Sequence, residues 1–137
     1  MALIPDVSAT LSQALDDEDA TYADQVIESI AADEALVPTL FWFEIRNALL
    51  MGERRKRITP ARTASFLADL ALLPFAVDDL PREGLVFELA RRYNLTSYDA
   101  AYLELAQRKH LPLATVDHAL IKAAKKAGVA LFQQPGS

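Results

Sequence analysis

The 137-residue sequence contains no cysteine, which excludes disulfide bonds, thiolate zinc sites and cysteine nucleophiles. Glycine is scarce as well: the four glycines are far apart, so they cannot build a P-loop or a dinucleotide-binding loop. No uncharged run approaches the ~18 residues that a membrane-spanning helix needs, and the N-terminus lacks the basic and apolar parts of a secretory signal. These absences predict a globular cytoplasmic protein without membrane contact.

Positive charge is missing from the first third of the chain. No lysine or arginine precedes Arg46, whereas ten of the nineteen acidic residues do. The net charge of the chain is −5, but the part from Arg46 onward is net basic. This part could face a polyanion, although a charged run is more often simply solvated. The hydrophobic content of 52% fits one domain over residues 1–137 with a single core.

Short apolar runs alternate with amphipathic segments along the chain. The runs predict strands at 2–4, 35–38, 75–77, 111–115 and 129–132. Helices are predicted from Thr21, over 39–57 with Thr39 as N-cap, from Thr59 to before Pro74, from Pro81 to Asn94, from Leu95 to near His110, and from Asp117 to Lys126 with Gly128 as terminator. This alternation predicts a three-layer α/β/α fold, in which helices cover both faces of a mainly parallel sheet of short strands.

Acidic residues recur at the ends of these elements. Asp6 directly follows the first strand, Asp117 follows the strand at 111–115, and Asp99 lies at the start of a helix. Glu44 lies beside the buried stripe of its helix. In an open α/β sheet, sites form outside the carboxyl ends of the strands, so we expect three of these acids, Asp6, Asp99 and Asp117, on one rim of the sheet.

Each acid also has a purely structural explanation. Thr96 and Asp99 have the spacing of a capping box, and Asp117 is a good N-cap. Glu44 could pair with a lysine or arginine, and Asp6 could begin a loop with the next serine, Ser8, as a local cap. These explanations do not account for the coincidence of all four acids.

Convergent carboxylates in a poorly solvated cleft repel one another unless a cation neutralises them. Oxygen donors without cysteine or a histidine cluster suit Mg²⁺ or Mn²⁺, which are often completed by substrate phosphates. His110 and His118 are too few for a zinc site and are expected at the surface or at helix ends. The chemistry that remains is attack on a phosphodiester by a metal-activated water.

Four stretches of the sequence occur in a familiar order and spacing: LIPDVS, VPTLFWFEIRNALL, LTSYDAAYLELA and LPLATVDHAL. With them the chain resembles the PIN-domain ribonucleases over nearly its whole length, and among these the VapC-type toxins of prokaryotic toxin–antitoxin pairs. The resemblance implies a catalytic cluster that holds one or two Mg²⁺ or Mn²⁺ ions: Asp6, Glu44, Asp99 and Asp117. It also implies side chains that orient the carboxylates and water: Ser8, Asn47 and Thr115.

The function implied by the resemblance is hydrolysis of RNA to a 5′-phosphate and a 3′-hydroxyl, as the toxin of a type II toxin–antitoxin pair. The implied partners are a second copy of the chain and a cognate antitoxin that occupies the cleft, in a heterotetramer or larger assembly. One alternative is a catalytically impaired PIN-like module that binds RNA or a partner. Another is an interaction domain whose acids are only helix caps.

Two residues depart from the family pattern. Pro5 stands where relatives usually carry an apolar strand residue, and because proline has no N–H the first strand is expected to end there or to lack a partner at that point. Gln13 replaces an aromatic or apolar residue of the following helix. Both departures lie close to Asp6 in the sequence.

The segment ERRKRITPAR ends the helix that carries Glu44 and offers cations for RNA phosphates: Arg54, Arg55, Lys56, Arg57 and Arg62. A solvated helix end, with cations favoured by the helix dipole, is an equal alternative. A second candidate edge contains Arg108, Lys109, Lys122, Lys125 and Lys126. The aromatic run FWF at 41–43 is expected to be core or interface rather than a surface that stacks on bases.

Overall fold

The computed structural model describes residues 2–15 and 17–133 of the chain. The elements follow in the order β1 Ile4–Pro5, α1 Ser8–Leu11, α2 Thr21–Ala32, β2 Ala35–Pro38, α3 Phe41–Arg54, α4 Pro60–Ala71, β3 Phe75–Asp78, α5 Glu83–Tyr93, α6 Ser97–Lys109, β4 Leu113–Ala114 and α7 His118–Ala127. Helices thus alternate with short strands, as the sequence pattern predicts.

The strands pair in parallel. β1 pairs with β4 and β2 pairs with β3, and a bridge between Leu3 and Ala35 joins the two pairs in the order β3–β2–β1–β4. Beyond β4, Leu131 forms an isolated parallel bridge with Leu113, so the predicted strand at 129–132 is reduced to one bridge. The prediction of an α/β fold with a parallel sheet of short strands is confirmed.

Apolar side chains pack on both faces of this sheet. Consecutive residues of β1 point to opposite sides. Ile4 therefore lies in the larger core, with Phe41 of α3 and Leu103 of α6, whereas Leu3 lies in a smaller cluster with Ile30 of α2. The sheet is thus the middle layer of three.

Pro5 is the last residue of β1, so the strand ends there as expected. The N–H groups of Ile4 and Asp6 donate to the β4 side, to the carbonyls of Pro112 and Ala114 at 2.9 and 3.0 Å. Because successive N–H groups of a strand point in opposite directions, the donor that Pro5 lacks would have pointed toward β2. Pairing between β1 and β2 stops at Leu3, so the missing donor costs no hydrogen bond with β4.

Two of the predicted helix starts are wrong. Thr39 does not cap α3: the N-cap is Leu40, whose φ of −71° and ψ of −17° continue the preceding turn in helical conformation. A side-chain cap requires an extended N-cap residue, so none forms here. α5 begins at Glu83 rather than at Pro81, since Arg82 is extended.

Other helix ends agree with the sequence. The Thr59 side chain accepts a hydrogen bond from the Arg62 N–H at the start of α4, and Gly128 ends α7 with a φ of 74°. His110 closes α6 in the left-handed conformation and is exposed. Among the described residues, no helix is both long and apolar enough to cross a membrane.

The aromatic run of α3 is divided between core and surface. Phe41 is buried and its ring centroid lies 5.3 Å from that of Phe75 and 5.2 Å from that of Trp42. Phe43, in contrast, is 72% exposed, with the Arg46 guanidinium 5.7 Å from its ring centroid. Phe43 therefore lies outside the core, which leaves the interface interpretation for this residue.

Candidate functional site at the carboxyl edge of the sheet

The pairing of β1 with β4 brings Asp6 and Thr115 together, because each residue directly follows its strand. Pro5 lies opposite Ala114, and the Asp6 N–H donates to the Ala114 carbonyl. The Thr115 hydroxyl then donates to Asp6 Oδ2 at 2.5 Å. Residues far apart in the sequence thus share a hydrogen bond at the edge where the strands end.

The chain turns around the Asp6 carboxylate as it enters α1. The Ser8 hydroxyl and the Ala9 N–H donate to Asp6 Oδ1 at 2.6 and 3.0 Å. Ser8 is the first residue of α1 and does not act as a local cap. Asp6 is only 5% exposed, and this burial raises its pKa to about 6, against the lowering effect of the hydrogen bonds from Ser8, Thr115 and Ala9.

Asp117 is the N-cap of α7, as its structural explanation predicts. Its carboxylate accepts a hydrogen bond from the Leu120 N–H at 2.9 Å, and its own N–H donates to Thr115 Oγ1 at 3.0 Å. Its negative charge nevertheless raises the pKa of Asp99, although burial of Asp99 has the larger effect. Asp117 is therefore both a cap and an electrostatic neighbour of Asp99.

Glu44 reaches this edge from α3. It is half-buried, and Oε1 accepts a hydrogen bond of 2.7 Å from the hydroxyl of Tyr102, which is buried on α6. Among the described residues no lysine or arginine pairs with Glu44, so that alternative is wrong. The sequence analysis missed Tyr102, although its place three residues after Asp99 puts the two on neighbouring positions of one helix face.

Asp99 connects the acids electrostatically. Burial is the largest cause of the raised pKa of Asp6, of Glu44 and of Asp99 itself, and the Asp99 charge raises the first two further. Thr96 caps α6 by accepting a hydrogen bond from the Asp99 N–H at 3.1 Å, and a hydrogen bond of Thr96 with the Asp99 side chain lowers the pKa of Asp99 against the two raising effects. Asp99 thus interacts with each of the other acids of the predicted cluster.

The chemistry of these donors suits a hard divalent cation. The donors are all oxygens, three of the carboxyl groups have raised pKa values, and no ion pair of the described residues involves Asp6, Glu44, Asp99 or Asp117. Within residues 2–15 and 17–133, however, no three acidic or histidine side chains converge closely enough to hold one metal ion. The acids are therefore neighbours whose mutual repulsion a cation would relieve.

Asn47 does not join the other predicted site residues. Its side chain is exposed on α3, and it makes no hydrogen bond with the described part of the chain. Of the three predicted orienting residues, Ser8 and Thr115 donate hydrogen bonds to Asp6, whereas Asn47 forms no hydrogen bond with any of the acids.

The basic residues at the end of α3 and just after it differ in whether they form ion pairs. Arg54, Arg55 and Lys56 are exposed and have no partner among the described residues. Arg57 instead pairs with Asp17 and Glu18 at 3.0 and 2.5 Å, so in this conformation its guanidinium is not free for an RNA phosphate.

Arg62 also has hydrogen-bond partners, and they account for the polar residue Gln13 at a position where an aromatic or apolar residue is expected. The Arg62 guanidinium donates to the Gln13 carbonyl at 3.1 Å and to its side-chain oxygen at 3.2 Å. A polar residue at position 13 therefore joins the start of α4 to the segment after α1.

A buried ion-pair network that the sequence analysis did not predict anchors α6. Arg108 donates to both oxygens of Asp78 at 3.0 and 2.9 Å and to Glu104 at 2.7 Å, and Glu104 is fully buried. The Glu104 carboxylate also accepts from the Arg82 N–H at 3.4 Å. Arg108 is thus a structural residue, and the expectation that it forms part of a basic edge is wrong.

Comparisons with known proteins agree with this fold. A family model of the PIN domain matches residues 3–126. The structure is similar to that of PAE2754 from Pyrobaculum aerophilum, with 26% identity, a TM-score of 0.65, and coverage of 90% of this chain and 87% of that one.

The fold is also similar to that of FitAcB from Neisseria gonorrhoeae, with 14% identity, a TM-score of 0.66 and coverage of 97% of each chain. No curated protein matches the sequence. Because the family model spans most of the chain, the protein belongs to the PIN-domain family, whose members are generally nucleases that use divalent metal ions.

Proposed function

We propose that this protein is a Mg²⁺- or Mn²⁺-dependent endoribonuclease that acts as the toxin of a type II toxin–antitoxin pair. The observation that carries the proposal is that Asp6 and Asp117 share Thr115 as a hydrogen-bond partner at the carboxyl edge of the sheet, where the Asp99 charge also raises the pKa of Asp6 and of Glu44. The toxin assignment, the cognate antitoxin, the homodimer and the cytoplasmic location rest on the resemblance of the four sequence stretches to VapC-type toxins.

In this proposal the four carboxylates hold the metal, and Asp6 and Asp99 are its principal ligands. A bound divalent cation supplies an activated water and neutralises charge on the phosphate. Ser8 and Thr115 fix the Asp6 carboxylate through hydrogen bonds to its two oxygens. Because the Ala9 N–H also donates to Oδ1, the lone pair left for a metal is on Oδ2. Asn47, exposed on α3, would act only after its side chain turns toward the acids.

Chelator-controlled cleavage tests the proposal. We expect the purified chain to cut RNA with Mg²⁺ or Mn²⁺, to stop when EDTA is added, and to resume when the metal is restored in excess. The products should carry a 5′-phosphate, which ligation to an acceptor oligonucleotide detects. Cleavage that continues unchanged in EDTA would contradict a metal-dependent mechanism.

A catalytically impaired module that binds RNA or a partner is the second candidate. It is favoured by the fact that no three acidic side chains of the described residues converge on one point. RNA that is bound but stays intact at every metal concentration would support this candidate against the nuclease.

The unpaired cations after α3 are the proposed contacts with RNA phosphates. We expect the double variant Arg54→Ala/Arg55→Ala to weaken RNA binding and to lower the slope of log affinity against log salt by about 1.4, since each lost phosphate contact on single-stranded RNA removes about 0.7. Fluorescence anisotropy of labelled RNA in EDTA, over a range of salt concentrations, measures this slope.

Arg57→Ala is the matched control, because Arg57 pairs with Asp17 and Glu18 and should leave the slope unchanged. If the double variant keeps the wild-type slope, these residues are only a solvated helix end.

A further inference from the structure

The hydroxyl of Tyr102 on α6 forms a hydrogen bond with Glu44 of α3. The side chain of Tyr102 is 1% exposed, and its hydroxyl lies 2.7 Å from Glu44 Oε1. An ionised carboxylate can only accept hydrogen bonds, so the tyrosine is the donor. The bond occupies Oε1 and leaves the second oxygen of Glu44 without a hydrogen-bond partner among the described residues.

This hydrogen bond acts against electrostatic repulsion. Glu44 is half-buried, and the charge of Asp99 opposes its ionisation there. A glutamate side chain has several rotatable bonds, so without an anchor it would relax away from Asp99 toward solvent. Tyr102 and Asp99 are three residues apart on α6, so the helix that carries one acid also carries the anchor for the other.

We propose that Tyr102 is a positioning residue, which holds the Glu44 carboxylate beside Asp99 so that both can bind one divalent cation. This inference rests on the proposed function. Hydrogen-bond donors that orient a ligating carboxylate typically change metal affinity by about 10–100-fold when they are removed. The role is thus distinct from the packing of the Tyr102 ring in the core.

Tyr102→Phe separates the two roles, because it removes the hydroxyl and keeps the ring. We expect Mn²⁺ to bind this variant about 10–100-fold more weakly than the wild type in isothermal titration calorimetry, while cooperative thermal unfolding is retained. Saturating Mn²⁺ should restore most of kcat for RNA cleavage, since the metal ligands themselves are intact.

Tyr93→Phe provides the control. Tyr93 is half-buried on α5 and its hydroxyl makes no hydrogen bond with the described residues, so the control loses a tyrosine hydroxyl that bonds to no carboxylate. We expect its Mn²⁺ affinity to equal that of the wild type.

A double-mutant cycle tests whether Tyr102 acts through Glu44. If it does, Tyr102→Phe should cause no further loss of Mn²⁺ affinity in a Glu44→Gln background. Losses that multiply, or a Tyr102→Phe affinity within twofold of a wild type that binds Mn²⁺, would overturn the positioning role alone. A wild-type protein that binds no Mn²⁺ would overturn the proposed function and this inference together.

Discussion

We expect Asp99→Asn to abolish metal-dependent RNA cleavage and, at the same time, to raise the melting temperature of the metal-free protein. Cleavage should fall by more than about 100-fold, because the variant removes a proposed ligand rather than a residue that only orients one. The melting temperature should rise because the amide carries no charge to repel Asp6, Glu44 and Asp117.

The stability gain should depend on pH in a defined direction. The pKa of Asp99 is raised, mainly by burial and then by the Asp117 charge, so ionisation of this carboxyl opposes folding above the raised value. Below its ordinary value of 3.8 the carboxyl is neutral in both the folded and the unfolded state. The difference in melting temperature between Asp99→Asn and the wild type should therefore be fully present at pH 7 and vanish as the pH falls below 3.8.

Asp24→Asn is a matched control, because Asp24 is also an acid of the first turn of a helix, but it is exposed. There the substitution removes only a favourable interaction with the helix dipole, so the melting temperature should fall slightly. If Asp99→Asn also destabilises the metal-free protein and leaves cleavage intact, Asp99 is a first-turn helix acid and nothing more.

We expect the largest loss of stability from Arg108→Ala. The change leaves the fully buried Glu104 with only the Arg82 N–H at 3.4 Å, and removes two hydrogen bonds from Asp78. Breaking a buried ion pair in this way costs about 3 kcal/mol, or roughly 10 °C in melting temperature for a domain of this size. Thermal and urea denaturation of the metal-free protein measure both quantities.

Arg57→Ala repeats the substitution in an exposed ion pair with Asp17 and Glu18, where the charges remain solvated after the partner is removed. Its effect on the melting temperature should be much smaller than that of Arg108→Ala. Equal effects of the two variants would show that the network around Glu104 does not anchor α6.

Much of the fold follows from local sequence signals. Alternation of short apolar runs with amphipathic segments is enough to indicate β2 and β3 and a parallel sheet, and Thr59 and Gly128 mark real helix ends. Thr39 fails as a cap because the chain leaves β2 through a turn that is already helical at Leu40. Local signals thus identify elements better than they locate their ends.

The candidate site follows from the sequence only in part. Asp6, Asp99 and Asp117 could be grouped because sites in an open α/β sheet form at the edge where the strands end and the helices begin. The partners of Glu44 and Arg108 could not be predicted, since they depend on how α6 packs against α3 and β3. The pairing of Asp17 and Glu18 with Arg57 could not be predicted either. From the sequence, RNA binding and a solvated helix end are equal alternatives for Arg57.

Calorimetric titration of Mn²⁺ into the metal-free protein, without RNA, tests most directly whether the acids around Asp99 form a metal site. We expect saturable binding to the wild type and none to Asp99→Asn, with Asp24→Asn binding as the wild type does. Equal Mn²⁺ binding by the wild type and Asp99→Asn would contradict the proposed site.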